Sequence, residues 1–318
     1  MTKEISPQDG PKALDKWPSA TGFDIVPTDI SSYISKSYTD NPLKGITVIL
    51  DPGHGGEDLG AVYPRAPKPP EIVESKINLA VAQLSKSRLE ELGARVVLTR
   101  TDNSYKKLYY RSAIVAKTTL TDFYDKLSDS SKNKNIIKDY LKQIDLAIET
   151  NSDEDKTGWF YGLGVRREIK NIMDLQASCT NFIYISLHCN SNDNPDTLRG
   201  TKVYYSSNKA IYDDEAKIDK DKIFPEYQFY NDAQREKFAT ILYSNITGDN
   251  PSMVQKDSKL AVTATNYSVI REQNLVSALI EMGYVNHKTD RAFLLNQTKQ
   301  KELSESIAKS IFEFYCKK

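Results

Sequence analysis

An α/β fold is predicted for this chain: one domain with a mostly parallel, twisted sheet and helices on both faces, carrying two polar insertions. Three observations predict it. Short apolar runs rich in β-branched residues alternate with longer amphipathic stretches from Gly45 onward. The clearest run, Ile46-Thr47-Val48-Ile49-Leu50, is too short for a helix and is broken at once by Asp51-Pro52-Gly53. No apolar run approaches the roughly 18 residues of a membrane span, and 318 residues suffice for a full-sized core.

The elements follow in order. Residues 1–44 hold Pro7, Pro11, Pro18, Pro27 and Pro42 among Ser, Thr and Asp, as a flexible leader or linker does. Residues 45–318 form the predicted domain. Strand 46–50 leads through the loop around His54 to a helix at about 76–92, with Ile77, Val81, Leu84 and Leu92 on one stripe and Gly93 at its end. Strand 95–100 follows. Residues 118–165 are polar and read as the first insertion, containing one amphipathic helix marked by Ile137, Leu141, Ile144 and Ile148. Strand 182–187 ends at His188 and strand 201–205 comes next. A second polar excursion occupies 207–230. A helix over 231–244, a strand over 277–281 and a terminal helix near 299–315 complete the chain.

Composition narrows the function. The 43 basic and 43 acidic residues are mixed along the chain, which gives no footing for nucleic acid or an anionic membrane. Three cysteines, Cys179, Cys189 and Cys316, lack metal-type spacing and are an odd number, which excludes a complete disulfide framework, and Cys189 is read as a buried small hydrophobe. The amino-terminal residues lack the apolar core of a signal peptide.

Chemistry is concentrated in four residues: His54, Glu74, His188 and Glu281. Two of the three histidines end apolar strands, where open α/β sheets place ligands. Two histidines and one glutamate form a recognised set for a hydrolytic zinc site that keeps one position open. His54, Glu74 and His188 are the candidate ligands for one zinc ion, and Glu281 is the candidate base. On residue type alone Glu71 competes with Glu74, since either acid suits the start of a helix. Glu281 follows Ala278-Leu279-Ile280, where a carboxylate is costly without a task. His287 lies in a polar run and is read as a surface residue. The tyrosines at strand edges are read as closing the core.

These stretches resemble the zinc-dependent N-acetylmuramoyl-L-alanine amidases known as amidase type 3. Ile49-Leu50-Asp51-Pro52-Gly53-His54-Gly55-Gly56 is similar to the first metal motif of that family, and Glu74-Ser75-Lys76-Ile77-Asn78-Leu79 to the second. Val96-Val97-Leu98-Thr99-Arg100-Thr101-Asp102 resembles its next strand, and Ile185-Ser186-Leu187-His188-Cys189-Asn190 the third metal motif. Leu279-Ile280-Glu281-Met282-Gly283-Tyr284-Val285-Asn286 resembles the motif with the catalytic glutamate. All occur in family order.

The resemblance implies zinc on His54, Glu74 and His188, which favours Glu74 over Glu71, with Glu281 in catalysis. It implies hydrolysis of the amide between muramic acid and L-alanine in peptidoglycan, by a secreted or envelope protein. Asn190 and Arg271 are the expected substrate contacts. An arginine-bearing helix of the family has two candidate sources here, around Arg111 and around Arg167. The helix near 136–148 is either an ordinary packed helix or a cover that an activator protein displaces. A zinc peptidase acting on the stem peptide and a non-catalytic wall-binding protein are the alternatives.

Overall fold

The computed structural model describes residues 41–131, 133–151, 160–161, 164–165, 167–193, 198–218 and 231–316. The leader expected over 1–44 therefore lies outside the described residues, apart from 41–44. Those four pack onto the body: Leu43 is fully buried and its N–H donates to the Leu92 carbonyl.

The strands are β1 (Thr47–Pro52), β2 (Val62–Tyr63), β3 (Ile72–Val73), β4 (Arg95–Leu98), β5 (Phe160–Tyr161), β6 (Gly164–Val165), β7 (Phe182–Asn190), β8 (Lys202–Tyr205), β9 (Val262–Ala264) and β10 (Val276–Tyr284). The α-helices are α1 (Glu74–Glu91), α2 (Leu108–Lys126), α3 (Asn133–Thr150), α4 (Arg167–Ala177), α5 (Asn208–Ile218), α6 (Asp232–Asp249), α7 (Ser268–Arg271), α8 (Lys288–Leu295) and α9 (Gln297–Cys316). Six strands form one sheet in the order β4-β1-β7-β10-β8-β9. Every neighbouring pair is parallel except β10 and β8, which run antiparallel.

Alternation along β1 explains its unbroken apolar sequence. Val48 and Leu50 join Val81 of α1 and Ile307 and Ile311 of α9 on one face. Ile49 joins Tyr184, Leu279, Val115 of α2 and Ile270 of α7 on the other. A strand covered on both faces has no polar side to show. A separate apolar cluster unites α2, α3 and α4 through Ala113, Ala116, Leu120, Ile137, Ile144 and Met173.

Several boundaries differ from expectation. The strand predicted over 182–187 continues to Asn190 because β10 runs beside it, pairing Glu281 with His188 and Tyr284 with Asn190. Helix α1 starts at Glu74 rather than 76, its first N–H donating to the Ala61 carbonyl. The stretch read as an insertion from 118 begins inside α2, a helix of 19 residues. Helix α2 buries Val115 against the sheet and Ala116 and Leu120 against α3, so two buried sides blur the single stripe that betrays most helices. The excursion read as polar over 207–230 contains α5, a charged helix whose Ile211 is fully buried; 219–230 lie outside the described residues. His287 is half-buried rather than on the surface, its Nδ1 3.4 Å from the Asp290 carboxylate.

Candidate metal centre

Parallel pairing brings the carboxyl ends of β1, β7 and β10 to one edge of the sheet, and α1 begins at that same edge. The turn after β1 presents His54 at φ 61°, in the left-handed region that non-glycine residues seldom occupy. Hydrogen bonds hold it there. The Gly55 N–H donates to the Asp58 carbonyl at 2.7 Å, and Arg111 Nη2 donates to the His54 carbonyl at 3.1 Å.

His54, Glu74 and His188 meet with their ligand atoms all within 4.8 Å of one another. Glu74 Oε1 lies 3.2 Å from His54 Nε2 and 3.0 Å from His188 Nδ1. The Cys189 N–H donates to the same oxygen at 2.9 Å and the Ala61 N–H to Oε2 at 2.6 Å. Glu71 is exposed instead, 3.5 Å from Arg291 Nε, so the sheet edge brings in Glu74 alone of the two rivals. Asp58 Oδ2 sits 2.8 Å from His54 Nδ1, which leaves Nε2 facing inward. A carboxylate behind a histidine is how metal-ligating imidazoles are commonly oriented.

The surroundings fit a cation. A side chain at Gly53 would run into the His188 ring, and one at Gly60 would fall 2.5 Å from Glu74 Oε2. Two nitrogens and one carboxylate oxygen in a pocket of this size suit zinc. Charge follows the same pattern. Burial disfavours ionised Glu74, yet its hydrogen bonds to His188 and His54 outweigh that and push its pKa well below the carboxylate range. Burial works against protonated His54, but Glu74 and then Asp58 raise it to about 9.

Glu281 stands across from His188 on the neighbouring strand, on the same face. Its Oε2 is buried and has no hydrogen-bond partner among the described residues. Burial raises its carboxyl to about 7, with His188 opposing and the Glu74 charge adding to the rise. A carboxyl poised near neutrality is suited to taking and returning a proton.

Three further residues support the turn, and two of them, Asp51 and Arg100, were assigned no role from sequence. Asp51 is fully buried, accepting from Thr99 Oγ1 at 2.5 Å and Ser186 Oγ at 2.8 Å and pairing with Arg111 Nη1 at 2.5 Å. Burial would raise its pKa, but Arg111, Thr99 and Ser186 bring it to about 2. Arg100 donates to the carbonyls of Pro52, Gly53 and Ser75, tying β1 to α1. Of the two arginine sources left open, Arg111 on α2 reaches the turn, donating to Asp51 and to the Pro52 and His54 carbonyls; the side chain of Arg167 lies outside what the structure describes.

The expected substrate contacts are placed differently from each other. Asn190 lies two residues beyond His188 on β7, its Oδ1 accepting the Ser191 N–H at 2.8 Å. Arg271 is buried and bound to Glu272 at 2.9 Å, to Ser268 and to Asn266; Glu272 in turn accepts from Ser112 of α2.

The sequence model of the N-acetylmuramoyl-L-alanine amidases matches residues 48–124 and 130–313. The chain belongs to this family. Among curated relatives of this amidase-family chain, the probable cell wall amidase LytH of Staphylococcus epidermidis is 32% identical over 165 residues, 50% of this chain and 55% of that protein. LytH of Staphylococcus aureus is 31% identical over 172 residues, 54% and 57% of the two chains. The chain thus spans about half the length of the curated relatives it matches. An N-acetylmuramoyl-L-alanine amidase from Clostridium difficile 630 shares the fold with TM-score 0.52 at 20% identity, covering 86% of this chain and 98% of that one. Ami1 from Mycobacterium smegmatis does so with TM-score 0.53 at 13% identity, covering 87% and 99%.

Proposed function

We propose that this protein is a zinc-dependent hydrolase of peptidoglycan that cuts the amide between the lactyl group of N-acetylmuramic acid and L-alanine. The observation that carries the reading is the convergence of His54, Glu74 and His188 within 4.8 Å, with Glu281 directly across the strand from His188. Zinc held by those three residues would supply a Lewis acid and a water of near-neutral pKa.

The chain's own residues do the rest. Asp58 fixes the His54 ring, while the Cys189 and Ala61 N–H groups fix the Glu74 carboxylate. Glu281 takes the proton of the attacking water and delivers it to the departing alanine nitrogen. Its burial near pKa 7 supports both halves of that task. Kinship with cell wall amidases supports action in the cell envelope, outside the cytoplasm. Helix α3, for which an ordinary packed helix and a cover displaced by an activator were the two readings, packs on α2 through Ile137, Ile144 and Ala147, which supports the first.

Digestion of purified peptidoglycan with and without a chelator, followed by amino-terminal and reducing-end analysis, tests the reading. New amino-terminal alanine, abolished by chelation and restored by zinc, is expected. New ends at another peptide bond would assign a zinc peptidase instead. Binding to the wall without any new ends, in zinc-loaded protein, would assign a wall-binding module.

A further inference from the structure

Beyond Glu281, on the side away from the metal ligands, the antiparallel pairing of β10 with β8 sets Lys202 opposite Glu281 and Tyr204 opposite Leu279. Directly paired residues of an antiparallel ladder project from the same face, with Cβ atoms about 5 Å apart. Lys202, Tyr204 and Glu281 therefore share the face that His188 occupies on the next strand. Tyr204 is backed by the ring of Tyr267 at 5.2 Å, and Tyr267 is exposed.

Lys202 is an unusual residue for such a position. It is only 7% exposed. Its ammonium lies 5.8 Å from the centre of the Tyr284 ring and forms no ion pair with any carboxylate among the described residues. Burial lowers its pKa, and the charges of Glu281, its cross-strand partner, and of Asp257 oppose that effect. The proposed hydrolysis gives this cation no part, and a buried cation without an ion-pair partner costs free energy unless an anion meets it.

The geometry says which anion. Glu281 hands its proton to the alanine nitrogen, so the peptide leaves along the Glu281 side of the cleft. In a stem peptide the first free carboxylate beyond that nitrogen belongs to the second residue, a D-glutamate linked onward through its γ-carboxyl. Two extended residues reach about 7 Å, farther than the roughly 5 Å between directly paired residues of a ladder, so this carboxylate passes beyond Glu281 toward β8.

We propose that Lys202 is a specificity-determining residue that binds the α-carboxylate of the second stem residue and so selects acidic stems over amidated ones. The assignment rests on the amidase reading and names the peptide subsite of the same cleft. A charge-assisted hydrogen bond of this kind is worth about a tenfold to hundredfold preference.

The test uses the zinc-loaded full chain with two synthetic substrates, N-acetylmuramoyl-L-alanyl-D-glutamate and its D-isoglutamine counterpart. Wild type is expected to favour the acid by about tenfold or more in kcat/KM. Lys202→Gln is expected to lose that preference through KM on the acid, and Lys202→Arg to keep part of it. Zinc content and Tm of each variant establish that it is folded. A preference that survives in Lys202→Gln overturns the assignment, as does a kcat loss shared equally by both substrates, which would place Lys202 behind Glu281. Wild-type turnover of both substrates without preference overturns the assignment alone. Absence of turnover on both overturns the amidase reading and this inference with it.

Discussion

Asp58 determines which nitrogen of His54 is free. With Nδ1 engaged by the carboxylate at 2.8 Å, Nε2 is left to face Glu74 and His188. Asp58→Asn is expected to weaken zinc binding by about tenfold to a hundredfold, as loss of an outer carboxylate commonly does, measured by competition with a chromophoric chelator. Unchanged affinity would remove Asp58 from the centre. Glu281 behaves differently because it holds no ligand position. Glu281→Gln is expected to retain stoichiometric zinc while turnover falls by about a hundredfold to ten-thousandfold. Zinc content and alanine release, measured on one preparation, separate the two effects. His54, His188 and Glu281 stood out because a polar residue at the end of an apolar strand is conspicuous, whereas Glu74, at the start of a helix, was separated from Glu71 only by motif position. Asp58 was not, since an aspartate in a glycine-rich turn is ordinary. Lys202 was equally hidden, because its partner across the ladder is 79 positions away in the chain by the Glu281 pairing.

At the scale of elements, the loop after β1 is held by charges buried beneath it. Asp51 on β1 binds Arg111 on α2, and Arg111 passes the restraint to the carbonyl of His54. The left-handed histidine is thus held by a helix that begins more than fifty residues later in the chain. Asp51→Asn keeps the shape but leaves Arg111 buried without its counter-charge, at a cost of about 3–5 kcal/mol. The pH dependence has a definite sign. Folding depresses the Asp51 pKa from 3.8 to about 2, so its stabilisation is present above pH 3.8 and is lost as pH falls toward 2. Urea midpoints should therefore converge between wild type and variant as the solution is acidified through that window; a constant gap would exclude the ion pair as the cause. Strand β9, three half-buried residues at the sheet edge, was not read, whereas strands β1, β7 and β10 were readable from apolar runs covered on both faces. Helix α2 was not, for the same reason applied to a helix: with Val115 on one side and Ala116 and Leu120 on another, no single stripe remains.

Across the whole molecule, the proposed metal ligands come from three segments that only the folded sheet brings together: the turn after β1, the first turn of α1, and β7. Zinc that binds only this arrangement stabilises the fold by mass action, about 2.7 kcal/mol at a free concentration one hundred times Kd. For a domain of this size that is a rise in Tm of about 5–10 °C, absent in His54→Ala. The gain should not be uniform. Helix α3 packs on α2 in its own apolar cluster, and none of its buried residues, Ile137, Ile144 and Ala147, belongs to the clusters on the sheet. Hydrogen exchange on zinc-free and zinc-loaded protein should show protection rising at the end of β1, the start of α1 and the end of β7, while α3 exchanges at the same rate in both. A helix that lay over the metal centre as a cover would contact the loaded site and change its exchange with it. Protection of α3 that rises with the sheet would therefore restore the cover reading; protection that stays fixed leaves α3 as structural support for the helix that carries Arg111.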